Sequence, residues 1–112
     1  MALFRRRQFD GLIKTQLEVF LTDHGDSLRD IQDARERWRR ASAESADEAY
    51  GDERDLVDGA AEELSFLCDG FARTLDFDTE QLYRREFTRA VRKRLPQLAD
   101  AFEEQTDTGE PV

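Results

Sequence analysis

The chain has 112 residues, enough for one domain, and its 26 acidic and 17 basic residues give a net charge of −9. Hydrophobic and charged residues each make up 38% of it, which favours extended helices with narrow apolar seams over a compact α/β core. The single cysteine, Cys68, excludes an intramolecular disulfide and a cysteine-rich metal site. No apolar run approaches the roughly 20 residues of a membrane span, and no signal-peptide core follows Met1, so we expect a cytoplasmic protein.

The first segment, from about Gln8 to Ser42, has the periodicity of a helix. Its apolar residues fall on one helical face: Phe9, Ile13, Leu17, Phe20, Leu28, Ile31 and Trp38. Gly25, followed by the capping residues Asp26 and Ser27, allows a break into two helices. Because the apolar stripe keeps its phase across Gly25, we favour one long helix, with a kink as an option.

The stretch Ala43–Glu53 is small and acidic, and we interpret it as a turn with frayed helical ends. A second helix follows from about Arg54 to Leu75, with a start as early as Asp47 left open. Its apolar face consists of Leu56, Val57, Ala60, Ala61, Leu64, Leu67, Cys68, Phe71 and Leu75. Both stripes repeat about every 3.5 residues, which predicts coiled-coil-like packing in a long antiparallel hairpin.

A third helix is predicted to begin with Asp78 or Thr79 as its N-cap and to end near Leu95. Its apolar face is formed by Tyr83, Phe87, Ala90, Val91 and Leu95. Pro96 suits the first turn of a short fourth helix, with Leu98 and Phe102 apolar. We therefore expect an all-α bundle of three to four helices, a single domain over residues 1–104 and a disordered acidic tail over residues 105–112.

A basic segment over residues 84–94 carries a net charge of +5, against the sign of the whole chain. Its outward row is predicted to hold Arg85, Arg89, Arg92 and Lys93, with Arg84 at the margin and Arg94 inside the apolar arc. The cluster Arg5-Arg6-Arg7 is a candidate extension of this patch.

Several partners suit such a row. A phosphate backbone is one, because it attracts a row of cations. However, the row has no aromatic residue for stacking and no Asn or Gln for base contacts. Acidic residues follow closely, Asp100 and Glu103 among them, and are able to fold back on the row. We therefore favour contacts with protein, within the chain or with a partner, over nucleic acid, an anionic membrane surface or simple solvation.

A second candidate surface lies on the back of the second helix. Phe66 points away from the apolar face, and Gly59 and Gly70 lie on the same side. Glycine costs about 1 kcal/mol in a helix interior, so two of them near an outward phenylalanine indicate close approach of another helix. The packing partner is either the C-terminal helices or another subunit.

The remaining candidates for chemistry favour structural roles. His24 is expected within the first apolar stripe or as a capping residue, and Cys68 is expected to be buried. The run from Asp76 to Glu80 begins like a calcium loop, but Gln81 and Phe87 occupy the places where an EF-hand needs Gly and Glu. We predict no catalytic, cofactor or metal residues.

The pattern as a whole predicts a small non-enzymatic helical protein that acts as a protein-protein interaction or structural module. We expect it to form a homodimer or to bind a protein partner stably, because small cores often need oligomerisation. Nucleic-acid binding through the basic row is the alternative.

Overall fold

A computed structural model describes residues 8–107 of the chain. Within that range the chain forms five helices and no strand, which confirms the all-α class. The helices are α1 (Asp10–Asp23), α2 (Gly25–Arg40), α3 (Ala43–Ala72), α4 (Phe77–Arg94) and α5 (Pro96–Asp107). Together they build an elongated bundle of 55 × 33 × 22 Å, in which α3, about 45 Å long, is the longest element.

The helices α1 and α2 run antiparallel to α3, which confirms the predicted hairpin. At one end, Phe9 beside the start of α1 packs edge-on against Phe71 near the end of α3, with ring centroids 6.2 Å apart. At the other end, Trp38 of α2 packs edge-on against Tyr50 of α3 at 5.9 Å. The two arms of the hairpin pack mainly through α2 against α3, and α5 packs on α3 as well, whereas α1 contacts α4 and α2.

The first segment bends at His24, one residue before the predicted break point. His24 leaves helical geometry (φ −116°, ψ 23°), whereas Gly25 is the first residue of α2. The helical hydrogen bonds nevertheless continue, since the His24 N–H donates to the Phe20 carbonyl at 2.9 Å and the Leu28 N–H donates to the His24 carbonyl at 3.0 Å. The segment is thus two helices joined without a loop, close to the kinked helix that the phase of the stripe predicts.

The predicted turn over Ala43–Glu53 is wrong, because α3 begins at Ala43 and only Ala41 and Ser42 separate it from α2. Aromatic and ionic contacts dock this acidic stretch on α2. Tyr50 packs on Trp38, and the buried Glu53 carboxylate accepts a hydrogen bond from Trp38 Nε1 at 2.7 Å and another from Arg35 Nε at 2.6 Å. A search for aliphatic periodicity misses such contacts, since they are aromatic and ionic.

The N-cap of α4 is Asp76, not the predicted Asp78 or Thr79. The Asp76 side chain accepts a hydrogen bond from the Thr79 N–H at 3.0 Å, and this bond lowers the pKa of the carboxyl. Pro96 opens α5, as predicted. The last helix continues to Asp107, past the predicted start of the tail at Gln105, and residues 108–112 lie outside the described part.

The core of the bundle is a chain of aromatic rings that joins four helices. Phe9, Phe71, Tyr83, Phe87 and Phe102 follow one another, with neighbouring ring centroids 4.8–6.2 Å apart. Such offset and edge-on pairs add about 0.5–1.5 kcal/mol each beyond the burial of their area. The Tyr83 hydroxyl finds a partner by donating to Gln16 Oε1 at 2.8 Å, and burial raises its pKa. These contacts fix the rotation of α4 about its axis.

Candidate functional site

One face of α4 is buried in the core, and this determines which of the helix's side chains reach solvent. Tyr83, Phe87 and Val91 are fully buried, so this face of the helix is held in the core. The opposite face is exposed, and it carries the basic residues that the sequence singles out. The positions of these basic residues are therefore fixed by a helix that is anchored in the core.

Three of these cations form a row on the exposed face of α4. Arg85, Arg89 and Lys93 are spaced four residues apart, so each is about 6 Å along the helix axis from the next. All three are exposed, and none forms an ion pair with a carboxylate in the described part of the chain. We call these three residues the basic strip.

Arg92, the fourth residue predicted in the row, is neutralised by α5. Its guanidinium donates to Asp100 Oδ1 at 2.8 Å and to Glu103 Oε2 at 2.7 and 2.9 Å. The hydrogen bonds to Asp100 and Glu103 raise the pKa of Arg92. The sequence anticipated that these acidic residues fold back, and the tight junction at Leu95 brings them to Arg92. The predicted row of four is therefore reduced to three.

The other two arginines of the segment behave differently from each other. Arg84 is partly buried and bound on both sides, to Asp69 at 2.7 Å and to Glu80 at 2.9 Å. Arg94, predicted inside the apolar arc, is the last residue of α4 and is exposed. The cluster Arg5-Arg6-Arg7 lies outside the described residues.

A small cleft opens where the start of α1 meets the second half of α4. Its volume is about 90 Å³, and it is lined by Asp10, Ile13, Lys14, Glu86, Arg89, Ala90, Lys93 and Arg94. The cleft therefore adjoins the basic strip and has two of its members in its wall. Four cations and two carboxylates give it a net charge of +2.

Glu86 is the residue of this site that the sequence did not reveal. It is only 8% exposed, and its Oε1 accepts a hydrogen bond from the Phe9 N–H at 3.0 Å, where a carboxylate also suits the positive end of the α1 dipole. Its Oε2 is buried and has no hydrogen-bond partner in the described part of the chain. The available signal was its position, because Glu86 is the one acid among residues 84–94 and directly precedes the buried Phe87.

The back of α3 is open in the structure. Phe66 is 60% exposed, and a methyl group added at Gly59 or Gly70 would meet no atom within 4 Å. The alternative in which the C-terminal helices cover this surface is therefore wrong. Packing against another subunit remains a prediction.

The remaining candidates for chemistry, Cys68, His24 and Asp76, have structural roles. Cys68 is buried, and its burial raises the pKa of the thiol to about 12, which disfavours the reactive thiolate. His24 is partly buried at the bend, where its ring lies 4.7 Å from that of Phe20. Asp76 caps α4. The described residues contain no cluster of His, Cys, Asp and Glu suited to a metal ion.

None of the helices in residues 8–107 is long and apolar enough to cross a membrane. Comparison with known proteins gives no match, whether with protein-family models, with curated sequences or with solved structures. The site itself is therefore the basis for assigning a function.

Proposed function

We propose that this protein is a non-enzymatic interaction module that binds an acidic helix of a partner protein through the basic strip. The observation that carries the proposal is the contrast among the cations of α4. The chain pairs Arg84 and Arg92 with its own carboxylates. By contrast, Arg85, Arg89 and Lys93 have no ion-pair partner within residues 8–107, on a protein of net charge −9. An unpaired row of one sign on a surface of the other sign is a feature of charge-complementary interfaces.

The geometry of the strip suits a helical partner. Carboxylates four residues apart on a second helix repeat at the same interval of about 6 Å, so three ion pairs form in register when the two helices cross at an angle that aligns the two rows. The aromatic rings of the core hold α4, and with it the strip, in place. The conformational entropy that is lost on binding is therefore lost mainly by the partner. We therefore expect recognition of an acidic i, i+4 pattern rather than of any acidic chain.

The expected affinity is modest. Exposed ion pairs contribute about 0–1 kcal/mol each, so three of them supply at most about 3 kcal/mol. Such a strip mainly increases the association rate and selects the partner, and apolar contacts beside it have to supply the remaining affinity. Binding is accordingly expected to weaken as ionic strength rises.

Nucleic acid is the competing partner for a row of cations. The acidic residues Asp100 and Glu103 lie next to the strip through Arg92, so they repel a phosphate backbone that continues past the strip more than a short helix that is confined to it. The strip also has no aromatic side chain on which a base can stack. Both features favour a discrete acidic helix over a polyanion.

Fluorescence anisotropy with two labelled probes separates these partners. One probe is a helical peptide with glutamate at every fourth position, and the other is a short DNA duplex. We expect the peptide to bind at low salt and the duplex to be left unbound. If the duplex binds and the peptide does not, with a log–log salt slope near the value of about −2.7 for three neutralised phosphates, the nucleic-acid alternative replaces our proposal.

We further propose that the module self-associates through the open back of α3, where Phe66 is 60% exposed between two glycines. The molar mass from light scattering should exceed the 13.0 kDa of one chain, and Phe66→Asp should return it to that value. Light scattering is preferable to elution volume because the bundle is elongated. A wild-type mass of one chain would end this part of the proposal.

A further inference from the structure

The cleft between α1 and α4 holds two kinds of unsatisfied group. Lys14, Arg89, Lys93 and Arg94 line it, and none of these cations forms an ion pair with a described carboxylate. At the same site, Glu86 is more than nine-tenths buried, and its Oε2 lacks a hydrogen-bond donor in the part of the chain described. A buried polar oxygen without a donor is unfavourable, so a ligand that supplies one binds more tightly.

We propose that this cleft binds a small phosphate ligand that bears a proton-donating hydroxyl, the class that includes inorganic phosphate and hydroxylated phosphate esters. The charged oxygens of the phosphate accept hydrogen bonds from Arg89, Lys93 and Arg94. Its hydroxyl donates to Glu86 Oε2. A net charge of +2 attracts the anion, while the carboxylate selects anions that still carry a proton.

The dimensions of the cleft agree with such a ligand. A volume of about 90 Å³ has room for several water molecules or one tetrahedral anion. Because Oε2 is shielded from solvent, a ligand reaches it only after a local rearrangement of the cleft. Lysine and arginine side chains with flexible stems line the cleft, which keeps this rearrangement small.

The inference is independent of the proposed function, although the cleft and the basic strip share Arg89 and Lys93. Lys14 lines the cleft and is not part of the strip, whereas Arg85 belongs to the strip and does not line the cleft. Substitutions at Lys14 and Arg85 therefore test the two proposals separately.

The test compares phosphate with sulfate, a tetrahedral anion that carries no proton at neutral pH. Each anion is titrated into the full chain at constant ionic strength, and the Phe9 backbone amide is followed by NMR because its N–H bonds to Glu86 Oε1. We expect phosphate to bind at least about tenfold more tightly than sulfate, the effect of one hydrogen bond to a charged group. A parallel titration with glycerol 3-phosphate shows whether the cleft prefers a phosphate ester or inorganic phosphate. The compound that binds more tightly identifies the kind of ligand.

Variants complete the experiment. Lys14→Gln should weaken phosphate binding several-fold, and Arg85→Gln, the matched control, should leave it unchanged. Glu86→Gln should remove the preference for phosphate, because an amide donates to either anion, and circular dichroism verifies that this variant is folded. Equal affinities for phosphate and sulfate in the wild type, or equal losses in Lys14→Gln and Arg85→Gln, would overturn the proposal and leave only diffuse charge attraction.

Discussion

Replacing Glu53 with glutamine tests whether the acidic start of α3 is docked on α2. The wild-type carboxylate is buried and accepts two hydrogen bonds, from Trp38 Nε1 at 2.7 Å and from Arg35 Nε at 2.6 Å. Glutamine keeps one acceptor oxygen for Trp38, but it presents an uncharged amide to Arg35. Glu53→Gln therefore removes the charge-assisted bond to Arg35 and keeps the hydrogen bond from Trp38, which then has a neutral acceptor.

The expected loss is worked out from that single bond. A hydrogen bond between charged groups contributes about 1.5–3 kcal/mol, and the Arg35 side chain is 28% exposed, so part of its loss is recovered by water. We expect the free energy of unfolding to fall by about 2 kcal/mol. For a chain of this size, that loss corresponds to a decrease in melting temperature of about 8 °C.

Thermal and urea denaturation followed by circular dichroism measure this change, and the fluorescence of Trp38, the one tryptophan of the chain, reports on the docked region. Glu63→Gln is the matched control, because Glu63 is exposed on the same helix and substitutions at such sites stay within about 0.5 kcal/mol. If the two variants melt at the same temperature, residues 43–53 are not docked, and the turn predicted from composition is correct after all.

Three further predictions concern single residues. Gly59→Ala should stabilise the isolated bundle by about 0.5–1 kcal/mol in urea denaturation, because the added methyl meets no atom; destabilisation would show that another helix packs there. Cys68, with its thiol pKa raised to about 12, should react with a thiol reagent at pH 8 only after unfolding in urea, and fast reaction of the native protein would refute its burial. Since the folded pKa of Asp76 is lowered, its stabilisation is present above the unfolded pKa of about 3.9 and is lost as pH falls through the folded value. Asp76→Asn keeps a capping side chain, so its melting temperature should depend less on acid pH than that of the wild type, and an unchanged pH profile would contradict the cap.

Apolar periodicity was sufficient to predict most of the fold. Ile13, Leu64 and Phe87 each belong to an apolar stripe of their own helix, and each is buried as the pattern requires. The same method failed for Ala43–Glu53, where the docking contacts come from an aromatic pair and a buried carboxylate. It also placed the α4 cap two or three residues late, because Asp76 and Asp78 are equally good capping residues and only the packing of the helix decides between them.

The parts of the candidate site that depend on residues close together in the chain were predictable. The parts that depend on contacts between residues far apart in the chain were not. The row of cations follows from an interval of four residues, and the neutralisation of Arg92 was anticipated from the acidic residues that follow it. The role of Glu86 was not anticipated, because its hydrogen-bond partner Phe9 lies 77 residues away in the chain. No local pattern distinguishes such a carboxylate from a solvated one.

The most direct test of the central claim compares two double variants that remove the same charge from different places. Arg85→Gln/Arg89→Gln alters the basic strip, whereas Arg39→Gln/Arg73→Gln removes two exposed, unpaired arginines of the described surface elsewhere. The dissociation constant of the acidic helical peptide is measured for both at low salt. We predict that the strip variant weakens binding about fivefold and that the control weakens it by less than about twofold. Equal losses would show that the peptide responds only to net charge, and would contradict the assignment of the strip as a docking site.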